Sequence, residues 1–385
     1  MPNGKSNQNL LAVLVFSQFA GTSLWFAGNA VIDSLPGLSP ENFAGLTSIV
    51  QAGFIAGTLL FSLFRIADRF QSHKVFFISA TLASAANLLI IHLGRDSFSL
   101  FSLRFITGFF LAGIYPVGIK IAADIFPEKV GNSLGWLVGA LVLGTSFPHF
   151  IRFQTTGISW EAVLFSTSAL AFIGGIIVLF FIPVKERIHH NGPVKFFSAF
   201  HNFRSKKFRS SAFGYFGHMW ELYAFWALLP SIFFYFNRNS NTDVPIYLWS
   251  FAVIAIGSLG CVIGGIVSQH WGSKKVAYYS LLLSGLCCVA APFFFQFSFS
   301  FFAALLLVWG FAVTSDSPQF SALVAKSVEE QNKGTALTIV TSLGFAITIV
   351  SIHLLKELFE NYGPKSLLVL CIGPLFGLLS LKRPG

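Results

Sequence analysis

Apolar runs of roughly 20 residues recur along the whole chain, separated by short polar connections. No other feature constrains the fold as strongly, because a helix of about 20 residues is what crosses the hydrocarbon of a bilayer. The runs predict spans near 10–32, 45–66, 75–93, 100–123, 134–153, 162–184, 213–236, 246–268, 276–294, 300–324, 335–355 and 366–381, the last short and carrying Pro374. Twelve units in 385 residues leave no room for a sizeable soluble domain. Only 10% of the residues are charged, where soluble domains carry about 25%. These features exclude a disordered chain, a secreted disulfide scaffold and an ordinary cytosolic enzyme, and predict an all-α membrane protein.

The net charge of +10 is explained by where the charges sit. With a cytoplasmic N-terminus, 18 Lys and Arg fall in cytoplasmic connections and five outside. Over short loops that bias sets orientation and places both termini in the cytoplasm; it also removes the case for a nucleic-acid partner. Cys261, Cys287, Cys288 and Cys371 all lie in apolar runs without ligand spacing and read as small buried hydrophobes. Met1–Asn9 is polar and leads into a span longer than a signal-peptide core, so no cleaved leader is expected.

The longest polar stretch, Lys185–Ser211, carries seven basic residues and one acidic residue. It reads as a connector (185–211) on the inner leaflet between six-span halves at 1–184 and 212–385. The halves repeat. Ala67–Val75 aligns with Ser268–Val276 at an offset of 201, and Gly108, Pro116 and Glu128 align with Gly310, Pro318 and Glu330 at an offset of 202. Two separate matches at nearly one offset indicate a duplicated six-helix unit.

At these residues the chain resembles the major facilitator superfamily of secondary transporters. Its first loop motif, G-x-x-x-D-R-x-G-R-R, is matched by Asp68-Arg69 and His73-Lys74, with Phe64 and Gln71 in place of the glycines. The second copy keeps Gly264-Gly265, Gly272 and Lys274-Lys275 without the acid. Arg104, Gly108 and Pro116 fit the family's second motif, R-x-x-x-G-x-x-x-x-x-x-P. Gly217–Tyr223 and Asp316–Phe320 are similar to a bacterial branch loosely grouped with nitrate- or cyanate-type permeases. Nitrate carriers of the family hold the anion with arginines inside spans 2 and 8; here span 2 has Arg65 at its end and span 8 has none. The span 5 motif of many drug/proton antiporters is degraded, with Pro148 four residues late. The resemblance implies two pseudo-symmetric six-helix bundles, with spans 1, 4, 7 and 10 lining a central cavity.

Polar side chains inside hydrocarbon are costly, and each calls for a partner or a function. In span 1, Gln18, Thr22, Trp25 and Asn29 recur at helical spacing, as a wall of a solute site or as interhelical glue. In span 7, His218 and Glu221 lie one turn apart among Trp220, Tyr223 and Trp226. Ionising a carboxylate in a low dielectric is costly and a neighbouring imidazole can share its proton, so the pair suits proton coupling or solute contact; a static helix-locking pair is the alternative. No third ligand accompanies them, so no metal or other cofactor is expected. Asp316 in span 10, with Gln319 one turn on and Trp309 two turns back, has the same two readings. Tyr115 and Lys120 in span 4 complete the candidate cavity; Lys120 has Asp124 one turn away as an i,i+4 partner, or else attracts an anionic solute. The family resemblance implies that Arg104 sets the charge state of a nearby proton carrier, against simple anchoring to a carbonyl or headgroup. It also implies that Asp68, Arg69 and Lys74 latch the inner gate. Thr338, Thr341 and Thr348 in span 11 either add cavity polarity or bond back to their own helix.

The sequence thus predicts a proton-coupled transporter of a small organic solute in a bacterial-type inner membrane, monomeric and working by alternating access. A drug or siderophore efflux antiporter is one alternative and a non-transporting membrane sensor or scaffold another. No phosphate-binding loop of the G-x-x-x-x-G-K-[ST] type is present for an ATP-driven pump, and no nucleophile–base or metal constellation suggests an enzyme.

Overall fold

The computed structural model describes residues 4–35, 43–94, 96–126, 130–155, 159–183, 196–329 and 332–382, which contain helices and turns and no strand. Glu128 and Glu330 of the repeat, Arg95, Lys129, Lys185, Arg187, Lys195 and Arg383 among the charged residues, and positions 185–195 of the connector lie outside the described residues. Ten described stretches are long and apolar enough to cross a membrane, one of them running from Lys333 to Lys382; Asn9–Thr22 is a shorter apolar helix. The chain divides into two compact units, Met1–Asn42 with Ile49–Val194, and Phe43–Ser48 with Lys195–Gly385.

In the first unit α1 (Gly4–Thr22) gives way to turns over residues 23–28 and then to a 3-10 helix, Asn29–Ser34. The break has a local cause. The Thr22 hydroxyl donates to the Gln18 carbonyl at 2.8 Å and the Ser23 hydroxyl to the Ala20 carbonyl at 2.7 Å, and such back-bonding competes with the helical ladder. After α2 (Phe43–Leu63), the short α3 (Ile66–Arg69) and α4 (Ser72–Leu93), the fourth span is split into α5 (Ser97–Leu111) and α6 (Tyr115–Ile125). Pro116 is the second residue of α6; it has no N–H to donate backwards, and its ring disfavours an unbroken helix. Helices α7 (Val130–Gln154) and α8 (Glu161–Phe181) complete the unit.

The second unit opens with a 3-10 helix, Phe196–Arg204, followed by α9 (Lys206–Ser240), which Ser205 caps by accepting from the Phe208 N–H. The helix therefore starts seven residues before the predicted span at 213 and absorbs the end of the predicted connector. Helices α10 (Ile246–Trp271) and α11 (Ser273–Phe294) precede a second split span, α12 (Phe299–Ser315) and α13 (Ser317–Ala325), with Pro318 again second in the latter half and Asp316 at the break. Helix α14 (Lys333–Tyr362) runs a further two turns past the predicted end at 355. The last span begins as a 3-10 helix (Gly363–Cys371) before α15 (Ile372–Lys382), whose third residue is Pro374.

The duplication is visible in the packing. A Cβ at Gly108 would collide with the Val50 carbonyl, and one at Gly310 with the Val253 carbonyl. Likewise Gly57 lies against the Phe109 carbonyl and Gly260 against that of Phe311. Each close crossing recurs at an offset of 202 or 203, next to the sequence offsets of 201 and 202.

Candidate functional site

The second unit buries an acid–base pair at its helix break. His218 of α9 and Asp316 between α12 and α13 are 0% and 1% exposed, with Nδ1 and Oδ1 2.9 Å apart. The pairing is one of close approach: none of the ring nitrogens or carboxylate oxygens makes a well-directed hydrogen bond among the described residues. The Tyr215 and Phe320 rings flank the imidazole at 5.9 and 6.0 Å. Asp316 is freed from the regular ladder at the C-cap of α12, where the chain turns before Pro318.

This corrects the expectation that His218 shares a proton with Glu221. The Glu221 carboxylate is also fully buried, but it faces other helices. The Trp309 indole N–H donates to Oε1 at 2.5 Å and the Cys288 thiol to the same oxygen at 3.3 Å, while the Ser284 hydroxyl donates to Oε2 at 3.0 Å. Phe225, one turn on, stacks on Trp309 at 4.1 Å. Glu221 thereby ties α9 to α11 and α12. Trp220 also leaves the predicted group: its indole N–H donates to the Val369 carbonyl in the last span, and it packs against Gly373. Tyr223 packs edge-on against Trp226 and against Phe345 of α14. Gln319 is buried one turn beyond Asp316. In α14 the Thr338 and Thr348 hydroxyls bond back to the carbonyls of Gly334 and Phe345.

In the first unit Gln18, Thr22, Trp25 and Asn29 are all buried, Gln18 and Thr22 before the α1 break, Trp25 within it and Asn29 just after. Thr22 is engaged with backbone carbonyls. Gln18 packs against Gly118, and neither atom of its amide has a hydrogen-bond partner among the described residues. Tyr115 opens α6. Arg104 is wholly buried, and its guanidinium donates to the Leu24 carbonyl at 3.1 Å, the Trp25 carbonyl at 2.5 Å and Asn87 Oδ1 at 3.1 Å. Among the described residues no carboxylate lies within ion-pair distance of it. Its partners are the carbonyls of the broken first span, so anchoring is what the geometry shows.

Lys120 reaches beyond its own helix: its ammonium pairs with Asp68 and donates to the Ala67 carbonyl at 2.6 Å, which joins it to the loop residues. Arg69 and Lys74 are exposed nearby in sequence. Arg65, just before α3, holds a left-handed backbone at φ 51°. The sequence reading passes over Asn87 and Ser284 and takes Cys288 only as a buried hydrophobe: Asn87 carries a signal, as an amide within an apolar run, while Ser284 and Cys288 look like ordinary helix fillers. Among the described residues no three of His, Cys, Asp and Glu are grouped to hold a metal ion.

Apolar spans, two split helices and a duplicated packing pattern define a polytopic membrane transporter. The chain belongs to the Major Facilitator Superfamily, whose family model matches residues 10–379. No curated protein matches the chain.

Proposed function

We propose that this transporter moves a small organic solute by proton-coupled alternating access, and that the His218–Asp316 pair carries the coupling proton. The observation that supports this reading is the pair itself: two titratable groups 2.9 Å apart, sealed from solvent, at a helix break. At such a distance the two hold a proton jointly, and a small change in either helix half alters which group keeps it. Glu221, by contrast, has three donors around its two oxygens and is assigned a structural role. Solute-dependent acidification of a dye-loaded proteoliposome, screened over small organic metabolites, tests the reading. Asp316→Asn is expected to abolish proton movement and accumulation while leaving solute exchange. Glu221→Gln is expected to lower the melting temperature with accumulation per folded molecule retained. Full accumulation in Asp316→Asn would overturn the assignment.

The gate in this reading is the Asp68–Lys120 pair, whose side chains are 50% and 32% exposed. An ion pair that wet is weak and is made and broken at little cost, which suits a latch. The excess of basic residues in alternate loops supports cytoplasmic termini in this reading. A cysteine replacing Pro193 should resist an impermeant thiol reagent added outside intact cells; rapid labelling there would reverse the orientation.

A further inference from the structure

Asn87 lies in the middle of α4 with no exposed surface, and both ends of its amide are committed. Its Nδ2 lies 3.3 Å from the Leu164 carbonyl, 3.2 Å from Thr167 Oγ1 and 3.0 Å from Ser168 Oγ, all on α8. A carbonyl only accepts, so the NH2 group must face α8. A guanidinium only donates, so Oδ1 must face Arg104, 3.1 Å away. The amide therefore has one permitted orientation, fixed independently from both sides. Beyond it, Arg104 reaches the carbonyls of Leu24 and Trp25, inside the stretch where α1 has lost its regular ladder. Over that stretch the backbone bonds are sparse: Ser23 N–H to Phe19, Trp25 N–H to Thr22, Ala27 N–H to Leu24 at 3.5 Å, Ala30 N–H to Phe26 and Val31 N–H to Gly28. A carbonyl freed in hydrocarbon needs a donor, and Arg104 supplies two.

We propose that Asn87 is a positioning residue: braced on α8, it holds Arg104 against the break in the first span and so fixes where Trp25 and Asn29 lie relative to Gln18. The proposal rests on the reading of those four residues as a solute wall, but its test needs no solute. Arg104 alone does not suffice, because a long side chain reaching two backbone carbonyls keeps rotameric freedom that the Asn87 contact removes. Neither a helix-packing role for Asn87 nor a charge role for Arg104 predicts that the two act on one segment of the first span.

The test is amide hydrogen exchange on the full-length protein in detergent, followed by mass spectrometry of the peptide covering residues 23–31. Asn87→Leu removes the acceptor for Arg104; exchange over 23–31 should rise at least about tenfold, with residues 9–22 and the second unit unchanged. Asn87→Asp keeps an oxygen toward Arg104 while giving up the donors to α8. It should lower the melting temperature yet leave exchange over 23–31 within about threefold of wild type. A merely structural role for Asn87 would make the aspartate variant at least as leaky as the leucine one, and that result would overturn the proposal, as would wild-type exchange in Asn87→Leu. Arg104→Lys keeps the charge without the fork, and is the companion should the leucine variant fail to fold. It should raise exchange over the same residues, and wild-type exchange there would overturn the proposal equally. The transport reading fails separately, in the proteoliposome assay.

Discussion

Three buried ionisable side chains of this protein are stabilised in three different ways. Arg104 is solvated by carbonyls, Glu221 by donors from two helices, and Asp316 by a single imidazole. All three stood out in the sequence because a charge in an apolar run is conspicuous. Their partners did not, since 98 residues separate His218 from Asp316 and 63 separate Glu221 from Ser284, and helical spacing says nothing about contacts between spans. Glu221 at one turn from His218 was the nearest partner along the chain, and tertiary packing overrode that proximity. An exposed acid illustrates the local kind of stabilisation. Asp96 caps α5 by accepting from the Ser99 N–H at 2.9 Å and the Ser99 hydroxyl at 2.7 Å. These bonds favour the carboxylate and hold Asp96 below the ordinary carboxylate value. Because its folded value is depressed, its contribution is complete above the unfolded value and fades as pH falls through the lowered one. Protection of the first amides of α5, taken relative to their unfolded exchange rate at each pH, should therefore fall in acid in the wild type, and be low and insensitive to pH over that range in Asp96→Ala.

Helix boundaries follow from apolarity wherever lipid or a packed neighbour is the surrounding medium, and the predicted spans coincide with observed helices along most of the chain. They miss where polar residues extend a helix into water. Lys206–Ser211 opens α9, and Lys356, Glu357 and Glu360 continue α14 through an i,i+4 ion pair. The breaks in the fourth and tenth spans are marked only by proline, and proline is ambiguous: Pro116 and Pro318 split a span, whereas Pro148, Pro230 and Pro292 sit inside continuous helices. Glycine is the clearer sign of contact. At Gly310 the α10 backbone passes so closely that a methyl group would meet the Val253 carbonyl, an obstacle with no freedom to rotate away. Gly310→Ala should cost about 1–3 kcal/mol of stability, the range for overpacking. Gly108→Ala should cost a similar amount. Gly334→Ala, near the start of α14 with nothing within 4 Å, should fall within about 0.5 kcal/mol of wild type. Thermal melts of the three variants in one detergent check the contrast.

For the molecule as a whole, the latch reading predicts that Asp68→Asn lowers the transport rate several-fold with little change in melting temperature, because the pair it breaks is half in water. Initial rates in proteoliposomes normalised to folded protein test it, and an unaltered rate would remove Asp68 from the gate. The duplication carries a different consequence. At the offset of 202 that relates the glycine crossings, Arg104 corresponds to Leu306 and Asp316 to Ile114, and all four positions are buried. The two copies have thus kept a common shape while parting company in polarity: one retains a buried base, the other buried acids. Neither half can therefore stand in for the other. A chain built from two first halves would keep the interlocking glycines and hold no acid at the second break, and one built from two second halves would lose the base that braces the first span.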